Sequence, residues 1–237
     1  MNTEILNKYL SQSRIAPYVD IAGFNRAADL YKLNILLSEQ LFSLLACFEV
    51  IFRNSAHNKL SEAFGENYFF ELDAIFKSII PPDESSRNHG SVLLEEAFYK
   101  VQRSIFGAYF TNDEFERLAR KNNRNITEQM LCQLSFGFWV HLLDNIYAQK
   151  LWDKHLYLIF PIGVNRNALS RKLNSILRYR NRIAHCEPII KKPARLKTIR
   201  DDLVAVMHWL SPEITDWALS FNSFDAHYGE LVKIVEE

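Results

Sequence analysis

Cysteine is scarce and poorly placed for shared work. Cys47, Cys132 and Cys186 stand singly, with neither a C-x-x-C spacing nor an even count, so a zinc site or a disulfide framework is not expected. Only 7 glycines and 7 prolines are present, and runs of β-branched residues are few; both shortages favour long helices over many tight turns. No apolar run is expected to reach the roughly 20 residues that span a bilayer. The opening M-N-T-E-I-L also lacks a secretory apolar region. These absences lead to the expectation of a soluble cytoplasmic protein with no metal, no cofactor and no membrane partner. Net charge is missing as well, since 28 basic residues balance 28 acidic ones, which would ordinarily argue against a nucleic-acid binder.

The distribution of charge points the other way. Between Arg171 and Arg200 stand Arg171, Lys172, Arg178, Arg180, Arg182, Lys191, Lys192, Arg195, Lys197 and Arg200 against the single acid Glu187. A strip of one sign attracts polyanions even on a neutral protein; the bland alternative is a solvated helix face. With 48% hydrophobic and 13% aromatic residues, the chain has material for one good core or two small ones. Helical periodicity recurs throughout. Thr3 to Ser13 reads as a short helix stopping before Pro17, and a second starts near Phe24 and feeds a long apolar segment that Gly65 stops. Asn67 to Ser78 follows, then a loop through Pro81-Pro82 to Gly90 that includes His89, then Ser91 to Tyr109. Thr111 and Glu114 make a capping box for a helix to about Lys121, broken by Asn122 to Asn125. Ile126 to Asp144 carries Gly137, expected to permit a close helix crossing. Pro193 opens a helix toward Trp209, and two short helices, Glu213 to Phe221 and Tyr228 to Glu237, close the chain. His141 and His155 read as core or rim histidines. The expected fold is an all-α, up-and-down bundle in a single domain, residues 1–237, with a helical insertion at about 67–125.

Two charges sit where apolar residues belong. On a helix, Leu169, Leu173, Ile176, Leu177, Ile183 and Ala184 form one stripe with Arg180 at its centre. Burying a guanidinium there costs several kcal/mol unless a carboxylate meets it. Phe42, Leu45, Phe52 and Ala56 likewise flank Glu49, so the economical answer is that Glu49 lies against the Arg180 helix. A local i, i+4 pair between Glu49 and Arg53 is the alternative. Arg171, Asn174, Arg178, Arg182 and His185 occupy the opposite face, with Asn181 on its flank, and the helix should end near His185 because Pro188 disfavours helical geometry before it.

Arg180-Asn181 followed by His185 resembles the R-x4-H motif of HEPN ribonucleases, helical proteins that cut RNA without a metal. The fuller R-N-R-I-A-H-C-E-P-I is similar to the corresponding stretch of Abi-family abortive-infection proteins, an anti-phage branch of that superfamily. Upstream, E-V-I-F-R-N resembles their E-x-x-x-R-N, and D-L-Y-K-L-N their preceding segment. L-S-F-G-F-W and the later L-W with a closing Pro complete the match in the same order. The resemblance implies a HEPN-like bundle with extra helices between its core helices, a metal-independent endoribonuclease, a homodimer with a composite cleft, and a neutralising antitoxin of RNA or protein.

Cleavage by the 2′-hydroxyl needs a proton acceptor, a proton donor and positive charge on the phosphate. Histidine suits proton transfer near neutral pH, and arginine's planar fork suits phosphate. The expected roles are His185 for the proton, Arg180 for phosphate charge, Asn181 for orientation and Glu49 to hold Arg180. Arg53, Asn54, Arg178, Arg182, Lys191 and Lys192 are the candidate RNA contacts. Arg180 and His185 point about 140° apart on a straight helix, which is why a dimer matters. Arg178, sharing a face with His185, is the alternative catalytic arginine. A non-catalytic RNA-binding module is the second functional expectation, and a protein-interacting scaffold the third.

Overall fold

The computed structural model describes residues 3–79 and 89–236, and among them every regular element is helical, as expected of an all-α chain. The helices are α1 (Thr3–Leu10), α2 (Gln12–Phe64), α3 (Phe69–Ile79), α4 (His89–Phe106), α5 (Asn112–Lys121) and α6 (Thr127–Gln133). They continue with α7 (Phe136–His141), α8 (Arg166–Ala184), α9 (Pro193–Leu210), α10 (Pro212–Ser220) and α11 (Phe224–Glu236). Short 3-10 and π turns fill Asn145 to Ile159. Most of the loop expected after Ile79 lies outside the described residues; its last two residues, His89 and Gly90, already belong to α4.

Local chemistry sets several boundaries. Thr111 caps α5 in the expected capping box, and Gly65, at φ 80, stops α2. Pro193 takes the first position of α9, where its missing N–H costs nothing. Near the N-terminus the first helix ends sooner than expected, at Leu10, where Ser11 turns left-handed at φ 74, and a second break falls beyond Pro17. Pro17 sits inside α2, and the chain departs from helical geometry at Gly23 (φ 73, ψ 168), a conformation open to glycine. Ile126 to Asp144 is likewise two helices, because Leu134 and Ser135 adopt extended backbone between α6 and α7. Gly137 therefore lies in the first turn of a short helix.

The expectation about apolar runs is corrected. Between Lys32 and Arg53 only Glu39 and Glu49 carry charge, and α2 is, among the described residues, one helix long and apolar enough to cross a membrane by length and composition. Burial explains part of that composition: Leu33, Leu37, Leu41, Leu44, Leu45, Phe48 and Phe52 are core residues, while Ile35, Phe42 and Val50 of the same stretch are exposed.

The chain divides into two compact units, Met1–Val50 with Lys172–Glu237, and Ile51–Arg171. The first has an aliphatic core: Leu173 and Ile176 of α8, Leu196, Ile199, Leu203 and Val206 of α9, and Leu231 of α11 are buried, as are the leucines Leu33, Leu37, Leu41, Leu44 and Leu45 of α2. Polar side chains key its elements together. Thr3 Oγ1 donates to the Phe24 carbonyl at 2.8 Å, and the Asn222 amide donates to the Gln40 carbonyl at 2.7 Å. Arg200 reaches Asp225 at 2.8 Å, joining α9 to α11, and Lys172 pairs with Asp202, joining α8 to α9.

The second unit is filled with rings. Phe70 stacks on Phe98 with centroids 5.2 Å apart, Phe115 meets both edge-on, and Phe76 stacks on Tyr147 at 4.4 Å. Asn67, in a left-handed conformation at φ 61, ties the start of α3 to that of α6. Its amide donates to the Arg124 carbonyl at 3.1 Å while its oxygen accepts from the Ile126 N–H at 2.7 Å. His141 pairs with Asp144 at 2.9 Å, and His155 packs its ring against Phe64. Both are half-buried histidines at the rim.

Candidate functional site

Asn165 caps the start of α8, its side-chain oxygen accepting from the Ala168 N–H at 3.0 Å. The buried face of the helix runs through Leu169, Leu173, Ser175, Ile176 and Tyr179. Leu177 and Ile183 are half-buried and Ala184 is exposed, so Arg180 flanks this face instead of standing at its centre. The expected partner is there: Arg180 Nε donates to Glu49 Oε1 at 2.9 Å. The guanidinium and carboxylate side chains are 34% and 26% exposed, which puts the pair at the rim of the core. A partly wet pair of this kind is worth on the order of 1 kcal/mol, well short of the several that deep burial would demand. Glu49 thus turns away from the local alternative, and Arg53 Nε instead donates to Asn54 Oδ1 at 3.4 Å.

The C-terminus of α8 closes in a Schellman arrangement. The Glu187 N–H bonds the Arg182 carbonyl at 2.8 Å and the Cys186 N–H bonds the Ile183 carbonyl at 2.9 Å. Cys186 takes the left-handed position, at φ 54, that glycine usually fills, and Arg14 donates to its carbonyl. His185 is consequently the C-cap residue, exposed, with its own N–H on the Asn181 carbonyl at 3.0 Å. Asn181 is exposed one turn before it. The divergence between Arg180 and His185 persists in the fold: one is turned onto Glu49 and the other stands on the solvent side. Arg182 serves the turn itself, donating to the Pro188 carbonyl and lying 3.5 Å from Glu187.

The basic strip is less uniform than its composition. Of its members in this unit, Lys172, Arg180, Arg182, Lys197 and Arg200 each have a carboxylate partner. Among the described residues no carboxylate pairs with Arg178, Lys191, Lys192 or Arg195. Lys191 and Lys192 are exposed just after Ile189 and Ile190, both fully buried, and the Ile189 N–H is fixed by buried Asn34 Oδ1 at 2.8 Å. The two lysines are thereby presented by an anchored turn. Arg178 and Arg195 both donate to Ser175 Oγ, each at 2.9 Å. Like charges held that close repel by on the order of 1 kcal/mol even in water.

Of the residues singled out from sequence, the first unit holds Glu49, Arg178, Arg180, Asn181, Arg182, His185, Lys191 and Lys192. Arg53 and Asn54 belong to the second. There His57, one turn beyond Arg53, has its Nδ1 3.2 Å from the hydroxyl of buried Tyr68, and burial followed by the Arg53 charge lowers its pKa. Sequence reasoning missed Arg14, Asn34, Ser175 and Arg195 as builders of this region. Asn34 and Ser175 are polar residues at apolar-face positions, the same signal that exposed Glu49 and Arg180, whereas Arg14 left none. Among the described residues no three His, Cys, Asp or Glu side chains gather as a metal would require.

A family model described as Abi-like protein matches residues 5–191, a span that contains Glu49, Arg180 and His185 and ends before Arg195. Comparison with curated proteins and with solved structures found no match.

Proposed function

The chain belongs to the Abi-like protein family, and from that premise we propose that it is a HEPN-type, metal-independent endoribonuclease that acts in abortive infection. The observation that carries this reading is the Glu49–Arg180 ion pair at 2.9 Å, on a helix whose C-cap is an exposed histidine. Glu49 fixes the guanidinium by one nitrogen, leaving the remaining N–H donors for phosphate oxygens. His185 at the helix C-terminus is solvent-accessible, and imidazole is the side chain suited to proton transfer near neutral pH.

In the proposed reaction the 2′-hydroxyl oxygen attacks the adjacent phosphorus and gives its proton to an imidazole. The bond from phosphorus to the 5′-oxygen breaks, and that oxygen takes a proton from an imidazolium. The products are a 2′,3′-cyclic phosphate and a 5′-hydroxyl, with Arg180 stabilising the pentacoordinate phosphorane and Asn181 orienting by hydrogen bonding. Because Arg180 and His185 diverge on one chain, the site is composite, made by two copies about a twofold axis. Exposed Ile35, Phe42, Ala46 and Val50, with Glu39 among them, form a mostly apolar stripe along the helix that bears Glu49, which suits a homodimer contact. Lys191, Lys192 and Arg178 supply uncompensated charge for the RNA backbone, and a neutralising RNA or protein antitoxin restrains the activity in the cell.

The test uses purified protein in EDTA with RNA and DNA substrates. RNA should be cut to cyclic-phosphate or 3′-phosphate ends, DNA should survive, and His185→Ala should be inert. A His185→Ala variant that cuts as fast as its parent overturns the assignment. The uncompensated cations also favour a second reading, an RNA-binding module, which salt-sensitive affinity with RNA intact over hours would support instead.

A further inference from the structure

Arg178 and Arg195 come from different helices, α8 and the first turn of α9, yet both donate to the one hydroxyl oxygen of buried Ser175 at 2.9 Å. Their terminal nitrogens therefore cannot lie further apart than twice that distance. A neutral oxygen is an odd reason for two cations to meet, since it offsets none of their repulsion. Arg195 is also mis-signed for its place. The first turn of α9 has no acidic residue, its N-cap Lys192 makes no side-chain cap, and a helix N-terminus favours negative charge. Two guanidinium groups thus meet at the first turn of an 18-residue helix where no carboxylate among the described residues answers them.

We propose that Arg178, Arg195 and Ser175 form a phosphate subsite that grips the RNA backbone, with Ser175 acting as a neutral tether that holds the two forks ready. A phosphodiester supplies two oxygens and one negative charge, which is what two adjacent forks and a helix N-terminus lack. The subsite positions RNA and takes no part in bond breaking. It rests on the RNA-binding part of the reading above and adds to it a residue, Arg195, that lies beyond the family match.

The experiment measures the affinity of the full chain for a short fluorescein-labelled 2′-O-methyl RNA, which cannot be cut, by anisotropy across a salt series. Cleavage of unmodified RNA is followed separately. Arg195→Ala should weaken binding by about fivefold and lower the slope of log K against log salt by about 0.7, the loss of one phosphate contact on a single strand. Arg195→Lys should restore the slope but only part of the affinity, because an ammonium cannot reproduce the fork. Ser175→Ala should weaken binding by about twofold with the slope unchanged, since the charges remain and only their placement is lost. Should the alanine variant of Arg195 lose its fold by circular dichroism, Arg195→Gln removes the charge while keeping a donor to Ser175. If the parent binds and cuts RNA but the Arg195 variants show the parent's affinity and slope, the subsite alone is overturned. A parent with no RNA affinity at low salt removes both this subsite and the reading it rests on. A parent that binds RNA with the expected Arg195 effects but never cuts leaves the subsite standing and removes only the nuclease.

Discussion

Residues 51–171 are packed with rings, whereas the unit that carries Glu49, Arg180 and His185 is packed with aliphatic chains and joined by polar side chains. The ring cluster of Phe70, Phe98 and Phe115 gains its stability from area and edge-to-face geometry, neither of which leaves a charge at the surface. The other unit joins α8, α9 and α11 with Lys172–Asp202 and Arg200–Asp225, and four cations of its basic strip, Arg178, Lys191, Lys192 and Arg195, have no carboxylate partner among the described residues. The division suggests that substitutions in the charged unit should change activity with little effect on stability, and that substitutions among the rings should do the reverse.

The largest effect expected is on rate. His185→Ala should lower RNA cleavage by about a thousandfold or more, in keeping with loss of a general acid–base group. His185 is exposed, so the variant's melting temperature should stay within about 2 °C of the parent's, surface changes being worth about 0.5 kcal/mol or less. Phe98→Ala is the mirror experiment. Removing a fully buried ring should cost about 3–5 kcal/mol and lower the melting temperature by roughly 10 °C. Below that temperature its cleavage rate should match the parent's. A ring variant that stays folded but loses cleavage would show that the units are not separable in this way.

Glu49→Gln probes the boundary between the two behaviours. Gln can still accept from Arg180 Nε but carries no charge, so stability should fall by about 1 kcal/mol or less for a pair this wet. Cleavage should fall about tenfold as the guanidinium loses its fixed orientation, the scale of a single charge-assisted bond. A larger thermal loss than kinetic loss would make the pair purely structural.

How much of this is legible in sequence follows the same division. Glu49 and Arg180 can be read because each is a charge at an apolar position of a helical stripe, and wrong polarity at a known period is a local signal. The Thr111–Glu114 box, the stop at Gly65 and the start at Pro193 are equally local. What cannot be read depends on partners distant in the chain. Asn34 finds the Ile189 N–H 155 residues away, and Arg195 finds Ser175 across two helices. Asn67 spans from α3 to the start of α6 through a left-handed conformation that an asparagine permits but does not announce. The break at Leu134–Ser135 has neither glycine nor proline, and its one local mark is Ser135, an N-cap residue type that also occurs inside helices.

Acid should separate the units again. Burial, with Arg53 as the second cause, holds His57 below the usual imidazole range, and burial with Lys154 does the same for His155; both belong to the ring-filled unit. Their folded pKa values lie below the unfolded one, so their contribution is fully present above about pH 6.5 and is lost as pH falls through the folded values. The melting temperature should therefore drop as pH falls below about 6.5. His57→Gln, which needs no deprotonation, should flatten that drop. Glu114 and Glu213, whose pKa values are lowered by hydrogen bonds at their helix caps, lose their contribution only below about pH 4.3, which keeps the two windows apart. An unchanged slope in His57→Gln would place the acid sensitivity elsewhere.

The smallest effect is also the sharpest test of what the charged unit requires of its backbone. Cys186 occupies the left-handed position of the α8 cap at φ 54, where a side chain costs about 1 kcal/mol relative to glycine. Cys186→Gly should raise the melting temperature by about 2–4 °C. Glycine also frees the turn that places His185, so if the strained cap holds the histidine in position, the same variant should cut RNA more slowly despite being more stable. A variant gaining stability with cleavage unchanged would show that the Schellman hydrogen bonds and the Arg14 contact to the Cys186 carbonyl are enough to fix the turn. Loss of stability would mean that the extra freedom glycine brings to the unfolded chain outweighs the strain relieved.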